Sequence, residues 1–272
     1  MSYLFDPDHW EWVWTGNNLR FLFEGFLVNL EIALIGIVLS LIFGLLLALM
    51  RISKPRLVSF PAGVWVDVWR NLPLILIILY LALAVPTSWR QAYADGIPEF
   101  FPDALQDELV LGAILGLVLY NSAVLCEIMR SGIQSLDRGQ FEAAASLGLT
   151  YRQQMRFVIL PQGLRRMVPA TVSQLITLIK DTTLISIIAI PEIIGHGGNI
   201  ISAASFGGGV QAPLLQVYLM IGLFFIVINF SLSRLSRRLE IRERERTGTT
   251  LKRVEGLEDQ VALETDVAAP PR

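Results

Sequence analysis

Two charged residues stand side by side inside an apolar segment of the sequence: Lys180 and Asp181 in VPATVSQLITLIKDTTLISIIAI. An ionised side chain at bilayer depth costs roughly 2.5–3.5 kcal/mol on insertion scales, so such residues usually pair or face a cavity. At about 100° per residue, they share one helical face with three uncharged polar residues. These residues are Ser173, Gln174 and Thr177. Such a stripe is suited to line a path for a polar solute. The alternative is that both charges only neutralise neighbours, for instance Glu127.

Two further features of the apolar segments bear on such a path. The run from Asp181 through Thr182 to Thr183 predicts a local opening of the helix, whose backbone groups then hold a charged ligand, as in other broken transporter helices. In an earlier segment Asp67 and Arg70 are three residues apart, a spacing that predicts an ion pair. Pro73 follows them and predicts a kink. A structural role is favoured for Arg70, with solute contact as the alternative.

Motifs of bond-breaking chemistry are absent from the sequence. Neither H-E-x-x-H nor G-x-S-x-G occurs. The three lysines are Lys54, Lys180 and Lys252, and none follows a glycine, so there is no phosphate-binding loop of the G-x-x-x-x-G-K-[ST] type. The single cysteine, Cys126, excludes a disulfide within the chain. His196, in GHGGNI, is expected to be a flexible-loop residue, since a metal site needs three or four ligands. The sequence therefore predicts neither an enzyme nor a metal site.

Composition identifies the elements that must position these residues. Of 272 residues, 53% are hydrophobic and 17% are charged, whereas a soluble domain carries about 25% charged residues. The apolar residues form five runs, each near the roughly 20 residues that a helix needs to cross a bilayer. These runs cover residues 25–49, 61–85, 109–129, 168–190 and 213–233. The sequence predicts an all-α, polytopic membrane protein with five transmembrane helices.

Basic residues alternate between the connecting segments. They concentrate after the first, third and fifth runs: Arg51, Lys54 and Arg56; six arginines from Arg130 to Arg166; and six from Arg234 to Arg246. The positive-inside rule then places the N-terminus outside and the C-terminus in the cytoplasm. Trp10, Trp12 and Trp14 fit an aromatic belt at the outer interface.

The chain divides into three parts by composition. Residues 1–24 form an extracytoplasmic segment, residues 25–235 the membrane domain, and residues 236–272 a cytoplasmic tail whose Ala/Pro/acid-rich end predicts disorder. Small residues recur at every fourth position of the first run, and for them packing within the chain is favoured over a subunit interface. They are Gly36, Ser40, Gly44 and Ala48.

The cytoplasmic segment 131–167 carries signals for a first short helix. Asp137 is placed to cap it, with Gln140 at the capping-box position. The helix is expected over residues 138–147, with Gly148 as its left-handed C-terminal residue.

A second short helix is expected directly after the turn. It starts at Thr150, with Gln153 at the capping-box position. Pro161 pushes the preceding residue toward extended geometry, so this helix is expected to stop near Ile159. From spacing alone, the helix pair either presents a partner surface or lies on lipid headgroups.

The same segment resembles a known family motif. Glu142-Ala143-Ala144, Gly148 and Val158-Ile159-Leu160-Pro161 resemble the EAA loop of ABC-importer permeases, with Val158 where the family more often has isoleucine. Other stretches narrow the resemblance to permeases for polar amino acids, the histidine/glutamine/glutamate/arginine group. They are Gly25 with Asn29-Leu30-Glu31-Ile32-Ala33, Arg70-Asn71-Leu72-Pro73-Leu74, Tyr120-Asn121-Ser122-Ala123 with Glu127 and Arg130-Ser131-Gly132-Ile133, and Leu160-Pro161-Gln162. The match spans about residues 22–235, and Ser131, where the group often has glycine, is a small departure.

The resemblance implies a type I ABC-importer permease-like fold in a bacterial cytoplasmic membrane. It implies coupling to a separate ATPase dimer through Glu142, Ala143, Ala144, Gly148, Leu160 and Pro161. It also implies a second permease subunit, the same or homologous, an extracytoplasmic amino-acid-binding protein and membrane lipid as partners, and no nucleic acid. No cofactor is expected in this chain, because ATP and Mg²⁺ belong to the partner ATPase. The substrate-path prediction is Ser173, Thr177, Lys180, Asp181, Thr182, Arg70 and Glu127.

Alternatives stay open at the level of the sequence. One is a permease for another small polar solute, and another is a passive channel or secondary transporter. A secondary transporter calls for an inverted repeat, which is not apparent, and a channel does not explain the cytoplasmic segment. A zwitterionic amino acid needs both charge signs, which Lys180 and Asp181 supply, but they do not select acidic, basic or amide side chains. Whether the two permease subunits are identical is also open.

Overall fold

The computed structural model of the protein describes residues 7–14, 17–206 and 214–247. Within these ranges the regular structure is helical, which confirms the predicted all-α class. The described residues form nine main helices, besides short helical turns at Pro7–Trp10, Glu11–Trp14 and Asp103–Gln106. They are α1 Asn18–Ile52, α2 Arg56–Asn71, α3 Leu74–Ala84, α4 Thr87–Gly96, α5 Val110–Gln134, α6 Arg138–Ser146, α7 Tyr151–Ile188, α8 Ile193–Phe206 and α9 Leu214–Thr247.

Four helices of the described part are long and apolar enough to cross a membrane: α1, α5, α7 and most of α9. Helices α2 and α3 pass the same test only as a pair, and the two are bent by 103° from each other. A fifth crossing is present if this pair counts as one broken span. The break lies at Leu72, whose backbone is extended at φ −88° and ψ 140°. Pro73 explains this, because a proline disfavours helical geometry in the residue before it. The predicted kink is therefore confirmed, and it is large enough to redirect the chain.

The centre of the bundle is the pair α1 and α5, which contact each other along their length. The small-residue stripe of α1 is buried in the chain. Ser40 Oγ donates to the carbonyl of Val118 at 3.5 Å, and a Cβ added at Gly44 would lie 3.0 Å from Leu125 Cβ. Packing within the chain, as predicted, thus accounts for the stripe.

Helix α7 continues where the sequence predicts a stop. It contains a π-helical turn at Gln154–Ile159, an α-helical part at Leu160–Asp181 and a 3₁₀ part at Thr182–Ile188. Pro161 occupies the first turn of the α-helical part, a position where its missing N–H is tolerated. The N–H of Leu160, the residue before the proline, donates to the carbonyl of Met155, five residues earlier. This wider π turn lets the helix continue through the proline. The predicted end near Ile159 is wrong for this reason.

The predicted loop GHGGNI is instead part of helix α8. Glycine is a poor helix former, but its missing side chain lets neighbouring helices approach. A Cβ added at Gly197 would lie 2.7 Å from Ile221 Cδ1 of α9. Helix α9 itself continues to Thr247, through residues that the sequence assigns to the tail. Residues 248–272, the rest of that tail, lie outside the described residues.

Candidate functional site

The first helix of the cytoplasmic segment, α6, ends in the predicted way. Gly148 has φ +73°, and the N–H groups of Leu147 and Gly148 close the last turn on Ala143 and Ala145. The expected capping box at its start is wrong, since the Asp137 side chain makes no capping hydrogen bond.

Gln140 has a different partner from the one predicted. Its Oε1 accepts from Gln162 Nε2 at 3.0 Å, so this glutamine ties α6 to α7 rather than to its own N-terminus. At the next turn the prediction is confirmed: Gln153 Oε1 accepts the Thr150 N–H at 2.8 Å, which completes a capping box.

One face of α6 is buried and the other is open. Ala144 is 2% exposed and lies on the side that packs against the π turn of α7. Glu142, Ala143 and Leu147 are exposed. Leu147, with 78% of its surface accessible, is a large apolar residue beside the left-handed turn. The open side of α6 is therefore a small surface of mixed apolar and acidic residues.

A separate apolar cluster fixes α6 and the start of α7 to the membrane helices. It consists of buried Ile133, Leu136, Met155 and Ile159, with Leu160 packed against it. Arg166 Nη1 donates to the carbonyl of Ser135 at 2.6 Å, and Lys54 Nζ lies 5.0 Å from the ring centroid of Tyr151. Pro161 is exposed. Since α7 runs on without interruption to Ile188, α6 packs against the same helix that carries Lys180 and Asp181.

The polar stripe of α7 is partly satisfied within the chain. Ser173 Oγ donates to the Pro169 carbonyl at 3.2 Å, and Thr177 Oγ1 donates to the Ser173 carbonyl at 3.3 Å. Gln174 Nε2 donates across to Asn121 Oδ1 of α5 at 2.7 Å. Gln174 thereby bonds α5, and Ser173 Oγ also lies 3.5 Å from Ser236 Oγ of α9. Among the described residues, Thr177 bonds its own helix.

Lys180 and Asp181 differ from the rest of the stripe. Lys180 is exposed and Asp181 half-buried, and across the described ranges neither side chain forms an ion pair or hydrogen bond. The alternative that they neutralise Glu127 is wrong, because Arg51 and Arg130 already pair with that carboxylate. They are a charged pair without an internal partner in the part of the chain that is described.

Thr182, also predicted to line the path, points into the protein. It is fully buried, its Oγ1 donates to the Ile179 carbonyl at 2.7 Å, and it accepts from Asn29 Nδ2 at 3.1 Å. From this residue the helix tightens to 3₁₀ geometry and ends at Ala189, with φ 60°. The helix changes at the predicted place, but it tightens instead of opening.

A buried carboxylate that sequence reasoning missed lies beside this transition. Glu192 is fully buried; its Oε1 accepts from the N–H groups of Ile194 and Gly195 at 2.9 and 3.1 Å, and Oε2 accepts from Asn29 Nδ2 at 3.1 Å. Burial raises the pKa of the Glu192 carboxyl, while these hydrogen bonds oppose the rise. The network joins α1 to the start of α8. Its only sequence signals are an asparagine within an apolar run and an acid at a helix start.

Three arginines surround Glu127 at one end of the bundle. Arg51 and Arg130 each approach its carboxylate to 2.8 Å, and Arg70 lies at 3.9 Å. Asp67 pairs with Arg51 at 3.4 Å, so the predicted pair with Arg70 is wrong. The reason is that Arg51, from the end of α1, lies between the two acids. No described hydrogen bond or ion pair connects this cluster with Lys180 or Asp181.

The remaining histidine of interest has a packing role. His196 stacks on Phe21 with ring centroids 3.9 Å apart, and its Nδ1 lies 2.6 Å from the Phe21 carbonyl. Across the described ranges, no group of three His, Cys, Asp or Glu residues is arranged to hold a metal ion.

Comparison with known proteins gives a consistent result. Residues 31–245 match the sequence model of the family "Binding-protein-dependent transport system inner membrane component". The chain is 41% identical over 230 residues to the probable glutamine ABC transporter permease protein GlnP of Bacillus subtilis, which covers 85% of this chain and 97% of that protein. It is 30% identical over 232 residues to the glutamate/aspartate import permease protein GltK of Escherichia coli, with the same shares covered.

Solved structures show the same fold. An amino acid ABC transporter with histidines superposes with a TM-score of 0.66 at 25% identity, over 82% of this chain and 94% of that one. The MetNI methionine ABC transporter, in inward-facing conformations, gives a TM-score of 0.57 at 19% identity, over 81% of this chain and 95% of that one.

Proposed function

The chain belongs to the family of inner membrane components of binding-protein-dependent transport systems, and we propose that it is the permease subunit of an ATP-driven importer for a polar amino acid. Members of the family are membrane subunits that work with a binding protein and a separate ATPase, so this chain does not hydrolyse ATP itself. The amino-acid substrate is proposed from its relatives, which are permeases for glutamine and for glutamate and aspartate.

The proposed substrate path runs past the charged pair on α7. Lys180 offers a cation for an α-carboxylate, and Asp181 offers an anion for an α-ammonium group. Both lack an internal partner across the described ranges. Since ionisable residues within a membrane are costly and mark substrate pathways, this pair is the preferred place for zwitterion binding. Ser173 and Thr177 lie on the same face.

One observation carries the coupling part of the proposal: α6 presents Glu142 beside the left-handed turn at Gly148, and α6 packs on the helix that bears Lys180 and Asp181. We assign the open side of α6 to contact with the ATPase. Ala144 and Leu160 then act from the inner side, by holding α6 on the bundle.

Copurification tests this assignment. The full-length chain is co-expressed with its ATPase as wild type, Glu142→Arg or Gly148→Asp. Both variants are expected to lose most of the bound ATPase, because one reverses a charge on the contact surface and the other strains the turn and adds a charge. Asp95→Arg, a charge reversal on an exposed residue of α4, is the matched control and should retain it. Full ATPase recovery and full transport with both α6 variants would refute the assignment.

The path is tested separately. Lys180→Gln and Asp181→Asn are each expected to reduce uptake of labelled amino acid while the transporter still assembles with its ATPase. If both variants assemble and transport at the wild-type rate, these residues are structural.

A further inference from the structure

Helix α2 buries few of its apolar residues against the rest of the described chain. Only Ala62 and Val66 are buried, and they form the side that packs on the bundle. On the far side the accessible fractions are 92% for Leu57, 72% for Phe60 and 47% for Val64. These three residues share one helical face, at spacings of three and four. The described chain leaves this face open.

The orientation of α2 makes it unlike the spanning helices. It is bent by 103° from α3. Its Asp67 pairs with Arg51 in the last turn of α1. It thus lies across the end of the bundle that also carries the cytoplasmic segment. A helix with an apolar and a polar face in this position is typical of one that lies in a membrane interface.

A groove of about 770 Å³ runs along this helix. Its apolar wall includes Leu57, Phe60, Pro61 and Val64, and its charged wall consists of Arg51, Arg56 and Asp67.

The charges of the groove are unequally satisfied. Arg51 is held by Glu127 at 2.8 Å and by Asp67 at 3.4 Å. Arg56 is exposed and has no ion pair or hydrogen bond among the residues that the structure describes. One unneutralised guanidinium therefore stands at the edge of an apolar groove.

We propose that this groove binds an anionic phospholipid of the adjacent leaflet. The lipid phosphate accepts hydrogen bonds from the Arg56 guanidinium, and one acyl chain lies along Leu57, Phe60 and Val64. This arrangement satisfies both the exposed apolar face and the unpaired cation. Basic residues next to the cytoplasmic leaflet attract anionic lipid, and the positive-inside rule places this end of the bundle in the cytoplasm. The proposal does not depend on the transported substrate, so it can fail while the proposed function stands.

Native mass spectrometry of the purified full-length chain tests the proposal. The chain in detergent is titrated with phosphatidylglycerol and, separately, with phosphatidylcholine, so that the result does not depend on membrane orientation. Wild type should bind phosphatidylglycerol more tightly than phosphatidylcholine. Arg56→Gln should weaken its binding about fivefold, the effect of one basic residue near an anionic surface, and leave phosphatidylcholine unchanged. Arg237→Gln removes the same charge from an exposed position on α9 and should leave both unchanged.

Two results would overturn the proposal. The first is equal binding of phosphatidylglycerol by wild type and Arg56→Gln. The second is that a second copy of the chain covers the groove, which Leu57→Cys in a Cys126→Ala background detects as a disulfide between two copies in membranes under mild oxidation. Absence of that crosslink together with selective loss in Arg56→Gln is the expected outcome.

Discussion

Glu192 is a carboxyl group buried between two helices and held there by three N–H donors from Asn29, Ile194 and Gly195. Its pKa is raised by burial, so the folded protein binds its proton more tightly than the unfolded chain does. The corresponding stability is complete below the unfolded pKa and is lost as pH rises through the folded pKa. We therefore expect wild type to lose thermal stability, relative to Glu192→Gln, as pH rises from about 4.5. Thermal unfolding in detergent at pH 4 to 8 measures this difference, and an identical pH slope in both proteins would contradict it.

Glu127 is a carboxylate that faces three guanidinium groups, those of Arg51, Arg70 and Arg130. Removing it in Glu127→Ala leaves these cations without their shared partner. We expect a loss of roughly 2–3 kcal/mol of unfolding free energy, less than for a fully buried pair because Arg70 is partly exposed. Glu24→Ala, which breaks the exposed Arg20–Glu24 pair, is the control and should cost at most about 0.5 kcal/mol. Equal losses of unfolding free energy in the two variants would show that the Glu127 cluster stabilises the protein no more than an exposed ion pair does.

At the scale of elements, the turn between α6 and α7 depends on one backbone conformation. Gly148 has φ +73°, where a Cβ costs roughly 1–2 kcal/mol. Gly148→Ala should therefore destabilise the cytoplasmic segment by about that amount, seen as faster hydrogen exchange in α6. Gly139→Ala lies within α6, has open space around its Cβ, and should slow the exchange, since alanine is the better helix former. Faster exchange in both variants, or in neither, would be inconsistent with a left-handed turn.

The elements also show what sequence alone can and cannot predict. Hydropathy locates the spans, and Pro73 the break between α2 and α3, because both are local effects. Pro161 led to a wrong helix end, because a proline ends a helix only when the preceding turn cannot adapt. Here that turn widens to π geometry. The glycine-rich α8 misleads because packing against α9 outweighs weak helix propensity.

Contacts between distant residues are the main part that sequence does not predict. Asn29 and Glu192 are 163 positions apart, and no local rule joins them. Likewise Asp67 forms its ion pair with Arg51 of α1 rather than with Arg70, which is closer in sequence. The turn between α6 and α7 was predictable because its signals are local: Gly148 in the left-handed conformation and a capping box at Thr150. The EAA assignment itself came from resemblance to a family, since spacing alone left a partner surface and lipid headgroups both open.

For the whole molecule, the proposed coupling is mechanical. Helix α6 and the start of α7 are fixed to α5 by an apolar cluster. Helix α7 continues unbroken to Ile188 and bears a charged pair that lacks an internal partner among the described residues. In the proposed function a separate ATPase acts on α6, and we expect the displacement to reach Lys180 and Asp181 through α7, which is continuous from Tyr151 to Ile188.

The most direct test is uptake of labelled amino acids into proteoliposomes that contain the chain, its ATPase and the binding protein. Glutamine, glutamate and arginine are compared, with ATP or a non-hydrolysable analogue enclosed. We expect accumulation against a gradient that requires both ATP hydrolysis and the ATPase subunit, and that Glu142→Arg abolishes. Equal uptake by the chain alone, without ATP, would identify a passive channel and rule out an ATP-driven importer.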